Sequence, residues 1–258
     1  MGEMSAIHFS KPAAHVALLQ IDNPPMNALG RQARAALLGR LGDIDADKGI
    51  RAVILTGHGT RAFCSGDDLK EQAEAQKAKS SAHLGEFGQV LERIETFRLP
   101  VIAAVNGWCL GGGLELASVC DIRIASADAK FVCSGVNVGL MASAYRLPRL
   151  IGLARAKHML LTGSPVDAAT ADKFGLVTAV HAGDALMAEA IVLAERIASR
   201  APLSVEATKR TASLASDMSP EEAAMLNAKE LAVLSRSADH KAALAAFAEK
   251  REPVFKRE

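Results

Sequence analysis

Apolar residues fall into two patterns along this chain. Short, largely apolar runs at residues 15–22 (HVALLQID), 51–57 (RAVILTG) and 101–105 (VIAAV) have strand length and β-branched content. Asn23-Pro24-Pro25, Gly57, Pro100 and Asn106-Gly107 punctuate them, so they read as buried strands. Leu29, Ala33, Leu37 and Leu41 instead recur every four residues, which predicts a helix with one apolar face and with Arg31, Arg34 and Arg40 turned to water. Leu84, Phe87, Leu91 and Ile94 predict a second helix over residues 80–98. IRIASA and KFVCSG are short strand candidates, residues 136–145 read as irregular, and residues 153–161 as helix. A helix opening near Pro165 is stopped by Gly175, and LVTAV follows as a short strand.

From residue 183 nearly everything reads as helix, with breaks at Ala201-Pro202 and Ser219-Pro220 and a stripe at Leu186, Ala190, Leu193 and Ile197. The fold class is α/β. A shift in composition near residue 200 divides the chain into a core over 1–200 and a helical subdomain over 201–258.

Composition narrows the functional classes. The chain has 258 residues, half of them apolar, enough for a sizeable core. A net charge of +1 with dispersed Lys and Arg leaves no footprint for nucleic acid and no polybasic membrane patch, so small molecules are the expected partners. Cys64, Cys109, Cys120 and Cys133 form no CxxC pair and lack histidines at ligand spacing, which predicts reduced buried thiols and no metal. Neither a leader nor a membrane-spanning run is visible, and a cytoplasmic protein is expected.

Chemistry concentrates in residues 101–121, VIAAVNGWCLGGGLELASVCD. Gly111-Gly112-Gly113 leave backbone N–H groups uncovered at the positive end of a short helix, and Glu115 stands in its first turn. A carboxylate beside donors able to polarise a carbonyl is a reaction site in outline, although packing and the helix dipole alone also account for such a turn. The GHGTRA segment at residues 57–62 matches a dinucleotide fingerprint formally, but no helix opens within its glycines. Neither Ser65 nor Ser134 has the glycine two residues upstream that a nucleophile elbow requires. Strand, glycine loop and acidic helix start occur twice, at AVILTG…CSGDDLKE and VIAAVNG…GGGLELAS, so two similar loops are expected to converge on one site.

Taken together, NPPMNAL, LTGHGTRAFCSGDDL, PVIAAVNGWCLGGGLELASVCDIRIAS, LTGSPVDAATADKFGLV and AFAEKREPVF resemble the crotonase family of enoyl-CoA hydratases and isomerases along nearly the whole chain. The resemblance implies a spiral of ββα repeats with a C-terminal helical trimerisation region, assembled as a homotrimer or a dimer of trimers. It also implies an acyl-CoA thioester substrate, with coenzyme A as part of that substrate and no separate cofactor. By the same resemblance, backbone N–H groups at Ser65 and Gly112 form an oxyanion hole and Glu115 is the acid/base. Ala28, Ser65, Gly66, Asp67, Asp68 and Gly112 then line the substrate channel. The second family glutamate is absent: Gly135 stands in its place, and the loop after it is about three residues short. Tyr145 and Asp68 are the nearest conceivable substitutes in sequence. Hydration of a 2-enoyl-CoA is the nominal reaction implied, with double-bond isomerisation, decarboxylation or weak acyl-CoA binding as alternatives.

Overall fold

The computed structural model describes residues 6–77 and 82–258. Strands β1 (Ile7–Ala13) and β2 (Val16–Ile21) form an antiparallel hairpin turned by His15, whose φ is +64°. β3 (Ala52–Gly57), β5 (Val101–Val105), β7 (Ile122–Ser126) and β10 (Ala179–His181) then add in parallel, so the main sheet runs β1-β2-β3-β5-β7-β10.

A second sheet is built from the short strands β4 (Ala62–Cys64), β6 (Trp108–Leu110), β8 (Lys130–Val132) and β9 (Val166–Asp167). The first three of these are parallel, and β9 is antiparallel to β8. From β3 to β8 each turn of the chain contributes a strand of five or six residues to the main sheet and then a three-residue strand to the second. Asn106 stitches the corner between turns: its Nδ2 donates to Gly57 O (2.9 Å) and Gly59 O (2.6 Å), and its Oδ1 accepts from Gly57 N (3.2 Å).

The largely apolar runs are explained by burial on both faces of the main sheet. Alternate residues diverge. Val53, Leu55, Val101, Ala103 and Val105 face the large core shared with α1 (Arg31–Ala46), α3 (Ala82–Glu95) and the second sheet. Ala52, Ile54, Ile102 and Ala104 face the other way, onto Leu186, Ala190, Ala194 and Ala198 of α8 (Leu186–Ala198). Each fully buried Val, Ile or Leu contributes about 1.5–3 kcal/mol relative to exposure. Helix α2 (Leu69–Lys77) follows β4, and α4 (Gly112–Val119) follows β6.

After a 3-10 turn at Ser134–Val138 come α5 (Arg146–Ile151), α6 (Leu153–Thr162) and α7 (Ala168–Phe174), the last capped by Asp167 and stopped by left-handed Gly175. Three helices close the chain: α9 (Pro202–Ala215), α10 (Pro220–Leu234) and α11 (Ala238–Ala248). Asp239, 3 % exposed, fastens the final segment by accepting from Lys256 N (2.7 Å) and Arg257 N (3.0 Å).

Three sequence expectations need correction. Arg34 does not reach water: it is 2 % exposed, with Nη1 on Asp67 and on Leu29 O and Nη2 on Glu86. Leu29 is buried but precedes α1, whose N-terminal Arg31 N–H is taken by the Glu71 carboxylate. Finally, β1 goes unnoticed in sequence because most of its side chains are exposed on an edge.

Candidate active site

Two loops meet at the ends of β4 and β6. In the first, Ser65 N donates to Met26 O (3.0 Å) and Leu29 N donates to Gly66 O (2.7 Å), which binds the segment holding Ala28 to the Ser65-Gly66 turn. Asp67 is fixed from behind by Arg34, by Gln72 Nε2 (3.1 Å) and by the Asp68 amide (3.0 Å). Asp68 Oδ1 accepts from Lys70 N (2.8 Å) and Glu71 N (3.4 Å), capping α2.

In the second loop Gly111, at φ +48°, donates its N–H to Val132 O (2.9 Å), and α4 opens at Gly112. The loops touch backbone to backbone: a β-carbon on Gly66 (φ +88°) would lie 2.7 Å from Gly112 N, and one on Gly112 would lie 3.0 Å from Gly66 Cα. Only glycine at both positions permits this approach.

This geometry corrects one expectation. The Ser65 amide is committed to Met26 and is not free to receive a ligand oxygen. Among the described residues, the amides of Asp67 and Gly112 have no acceptor within the chain, and both residues line one cavity. Side-chain spacing gives no sign of which amide in the Ser65–Asp68 turn is spare, because that depends on where Met26 O falls.

The cavity has a volume of about 220 Å³. Ser65, Asp67, Gly112 and Glu115 form its polar end, while Leu69, Phe87, Leu91, Val138, Leu140 and Met141 give it an apolar wall. Glu115 Oε1 accepts from Ser143 N (2.8 Å). Burial pushes the Glu115 carboxyl above its ordinary value, with the Ser143 bond and the nearby charge of Arg146 acting against that rise. The neighbouring Cys133 thiol is pushed up to about 12, chiefly by burial and further by the Glu115 charge.

Gly135 also lines the cavity, and a β-carbon there would sit 3.0 Å from both Leu140 O and Ala142 N. Among the described residues the cavity therefore has two acidic side chains, Glu115 and the Arg34-paired Asp67. Tyr145 is 57 % exposed, carries the Arg146 guanidinium over its ring at 4.4 Å and does not line the cavity. Asp68 is a helix cap. Ala28, Gly66 and Asp68 lie beside the cavity's polar end without lining it.

Elsewhere, His8, Asp22 and His58 bring potential ligand atoms within 4.8 Å of one another at the edge of the main sheet. Spacing along the chain does not reveal that cluster, and none of its members lines the cavity.

Comparison with known proteins agrees with this architecture. A sequence model described as Enoyl-CoA hydratase/isomerase matches residues 11–258. The (E)-benzylidenesuccinyl-CoA hydratase of Thauera aromatica is 39 % identical over 246 residues, covering 94 % of this chain and 96 % of that protein. The crotonyl-CoA hydratase of Syntrophomonas wolfei is 34 % identical over 246 residues, covering 93 % and 94 %. The crystal structure of an enoyl-CoA hydratase from Bacillus anthracis superposes with a TM-score of 0.95 at 33 % identity, covering 98 % of this chain and 100 % of that one. By sequence along nearly its whole length and by fold, the chain belongs to the enoyl-CoA hydratase/isomerase family.

Proposed function

We propose that the protein adds water across the double bond of a 2-enoyl-CoA thioester. The observation that carries this reading is the meeting of two acceptor-less amides, Asp67 and Gly112, with the desolvated carboxylate of Glu115 in one cavity. The thioester oxygen receives the two N–H groups. Glu115 Oε1 is held by Ser143, and among the described residues Oε2 has no hydrogen-bond partner, so it is available to a water. Glu115 takes a proton from that water as its oxygen bonds to the β-carbon. The π pair moves toward the thioester, whose oxygen becomes the enolate anion stabilised by the two donors. Return of the proton to the α-carbon restores the carbonyl. Such preorganised donors act where charge develops, and loss of one typically lowers kcat by about 10²–10³.

Gly135 supports the further reading that a single carboxylate handles both protons, in place of the two acids the family pattern implies. The same feature favours double-bond migration as a second reading, because carrying one proton between two carbons needs only one base. Ala28, Gly66 and Asp68 are proposed to meet the coenzyme A portion outside the cavity. The region 201–258 is proposed as an assembly subdomain of a trimer or a dimer of trimers: α10 buries none of its residues in the single chain, and Met225 and Phe247 are largely exposed. No described helix is long and apolar enough to cross a membrane.

The test is hydration of crotonyl-CoA by the native protein and by Glu115→Gln, followed through loss of the conjugated thioester absorbance. Turnover that falls by about 10²–10⁴ on substitution supports the assignment. Native protein that binds crotonyl-CoA without hydrating it overturns the assignment and directs attention to 3-enoyl-CoA isomerisation.

A further inference from the structure

Ser143 combines three unusual properties at one position. Its φ is +58°, in the left-handed region that residues with a β-carbon avoid. The residue is 3 % exposed, and among the described residues its buried Oγ has no hydrogen-bond partner. Buried hydroxyls are nearly always satisfied, and strained backbone concentrates where function requires it. The left-handed turn is what aims the Ser143 N–H at Glu115 Oε1, 2.8 Å away, while its carbonyl accepts from Leu147 N (3.0 Å) in the first turn of α5. One residue thus ties the cavity carboxylate to the helix packed beside it.

We propose that Ser143 is a positioning residue for Glu115, acting through its left-handed backbone and not through its hydroxyl. The inference rests on Glu115 being the acid/base of the proposed reaction. The serine N–H fixes which carboxylate oxygen faces the cavity and favours the charged form. The other groups facing Glu115 are Arg146 of α5, itself paired with Glu95 of α3, the neutral Cys133 thiol after β8, and Asp67 across the cavity, paired with Arg34. None of them supplies a second hydrogen bond to the carboxylate among the described residues.

The experiment compares Ser143→Thr with Ser143→Gly. Threonine keeps the hydroxyl but its branched β-carbon opposes the left-handed backbone; glycine removes the hydroxyl and accepts that backbone freely. The readouts are kcat, KM and the pH profile for crotonyl-CoA hydration, together with the Glu115 titration followed by ¹³C carboxyl NMR and assigned by its loss in Glu115→Gln. Ser143→Thr is expected to lower kcat by about ten- to a hundredfold with little change in KM. Its Glu115 midpoint should move to higher pH, because a hydrogen bond to the charged form is lost. Ser143→Gly should recover most of the rate and keep the native midpoint.

The reverse order, an active threonine variant and an inactive glycine variant, overturns the proposal by assigning the role to Oγ. An unmoved midpoint in Ser143→Thr also overturns it. Should Ser143→Thr fail to fold, Ser143→Gly decides alone: a displaced Glu115 midpoint in that variant refutes backbone positioning. If the native protein hydrates nothing while the Ser143→Thr midpoint still moves, positioning stands and the hydratase reading falls.

Discussion

Gly66→Ala is the most direct challenge to the two-loop site. Gly66 sits at φ +88°, and an alanine there carries a penalty of about 1–2 kcal/mol for its left-handed backbone. Its β-carbon would also stand 2.7 Å from Gly112 N, 2.8 Å from Gly112 Cα and 3.1 Å from Gly113 N, all of them backbone atoms that no rotamer change can move. Relaxing the first contact to ordinary van der Waals distance separates the loops by about 0.7 Å. That displacement is shared between the two amides proposed to receive the thioester oxygen, so the expected loss is that of one oxyanion donor, about 10²–10³ in kcat or roughly 3–4 kcal/mol. Global stability should fall much less. The backbone penalty corresponds to a drop in Tm on the order of 2–8 °C for a chain of this size. Steady-state crotonyl-CoA hydration well below the variant's Tm, paired with calorimetry, separates the two effects. A folded variant that keeps kcat within about threefold of the native protein would refute the claim that the loop contact sets the donor geometry.

Three further outcomes follow from the same geometry. Glu115→Gln should raise Tm near neutral pH, because burial disfavours the ionised carboxylate in the folded protein. Since the folded pKa is raised, that penalty is fully present above it and fades as pH falls toward the ordinary carboxylate value near 4.5, so the advantage of glutamine should vanish in calorimetry at low pH. Arg34→Met removes the buried partner of Asp67 and should lower unfolding stability by about 3–5 kcal/mol, read as a shift in the urea midpoint. Asp239→Ala leaves the Lys256 and Arg257 amides without their acceptor and should cost about 1–3 kcal/mol, with trypsin cleaving the released tail while the remainder stays intact.

Much of the fold is legible because the physics behind it is local. The runs at β2 and β3 are apolar except at Gln20 and Thr56, and β5 is apolar throughout, since both sheet faces are covered, and Pro100 and Asn106-Gly107 mark where β5 must begin and end. The Gly111–Gly113 turn and Glu115 stand out for the same reason: loop and acid belong to one short stretch. Arg34 is misread because helical periodicity ranks any arginine as solvated, whereas Asp67, Glu71 and Glu86 reach it from 33 to 52 residues away. The spare amide at Asp67 and the role proposed for Ser143 are invisible for a related reason. Both depend on backbone hydrogen bonds between segments far apart in sequence, and backbone groups leave no mark on residue identity.

The order of the main sheet bears on how the chain acquires its structure. From β1 through β10 each strand pairs only with the preceding and following members of the same sheet, and the corner at Asn106 joins one turn to the one before it. In such an arrangement pairing can spread outward from any formed pair of turns without first closing a loop across the whole chain, as in repeat proteins whose stability is a sum of nearest-neighbour terms. The exposed hairpin edge at β1 and the three-residue β10 should then exchange their amide hydrogens well before β3 and β5, so cooperativity in this protein fades from the middle of the spiral toward its two rims.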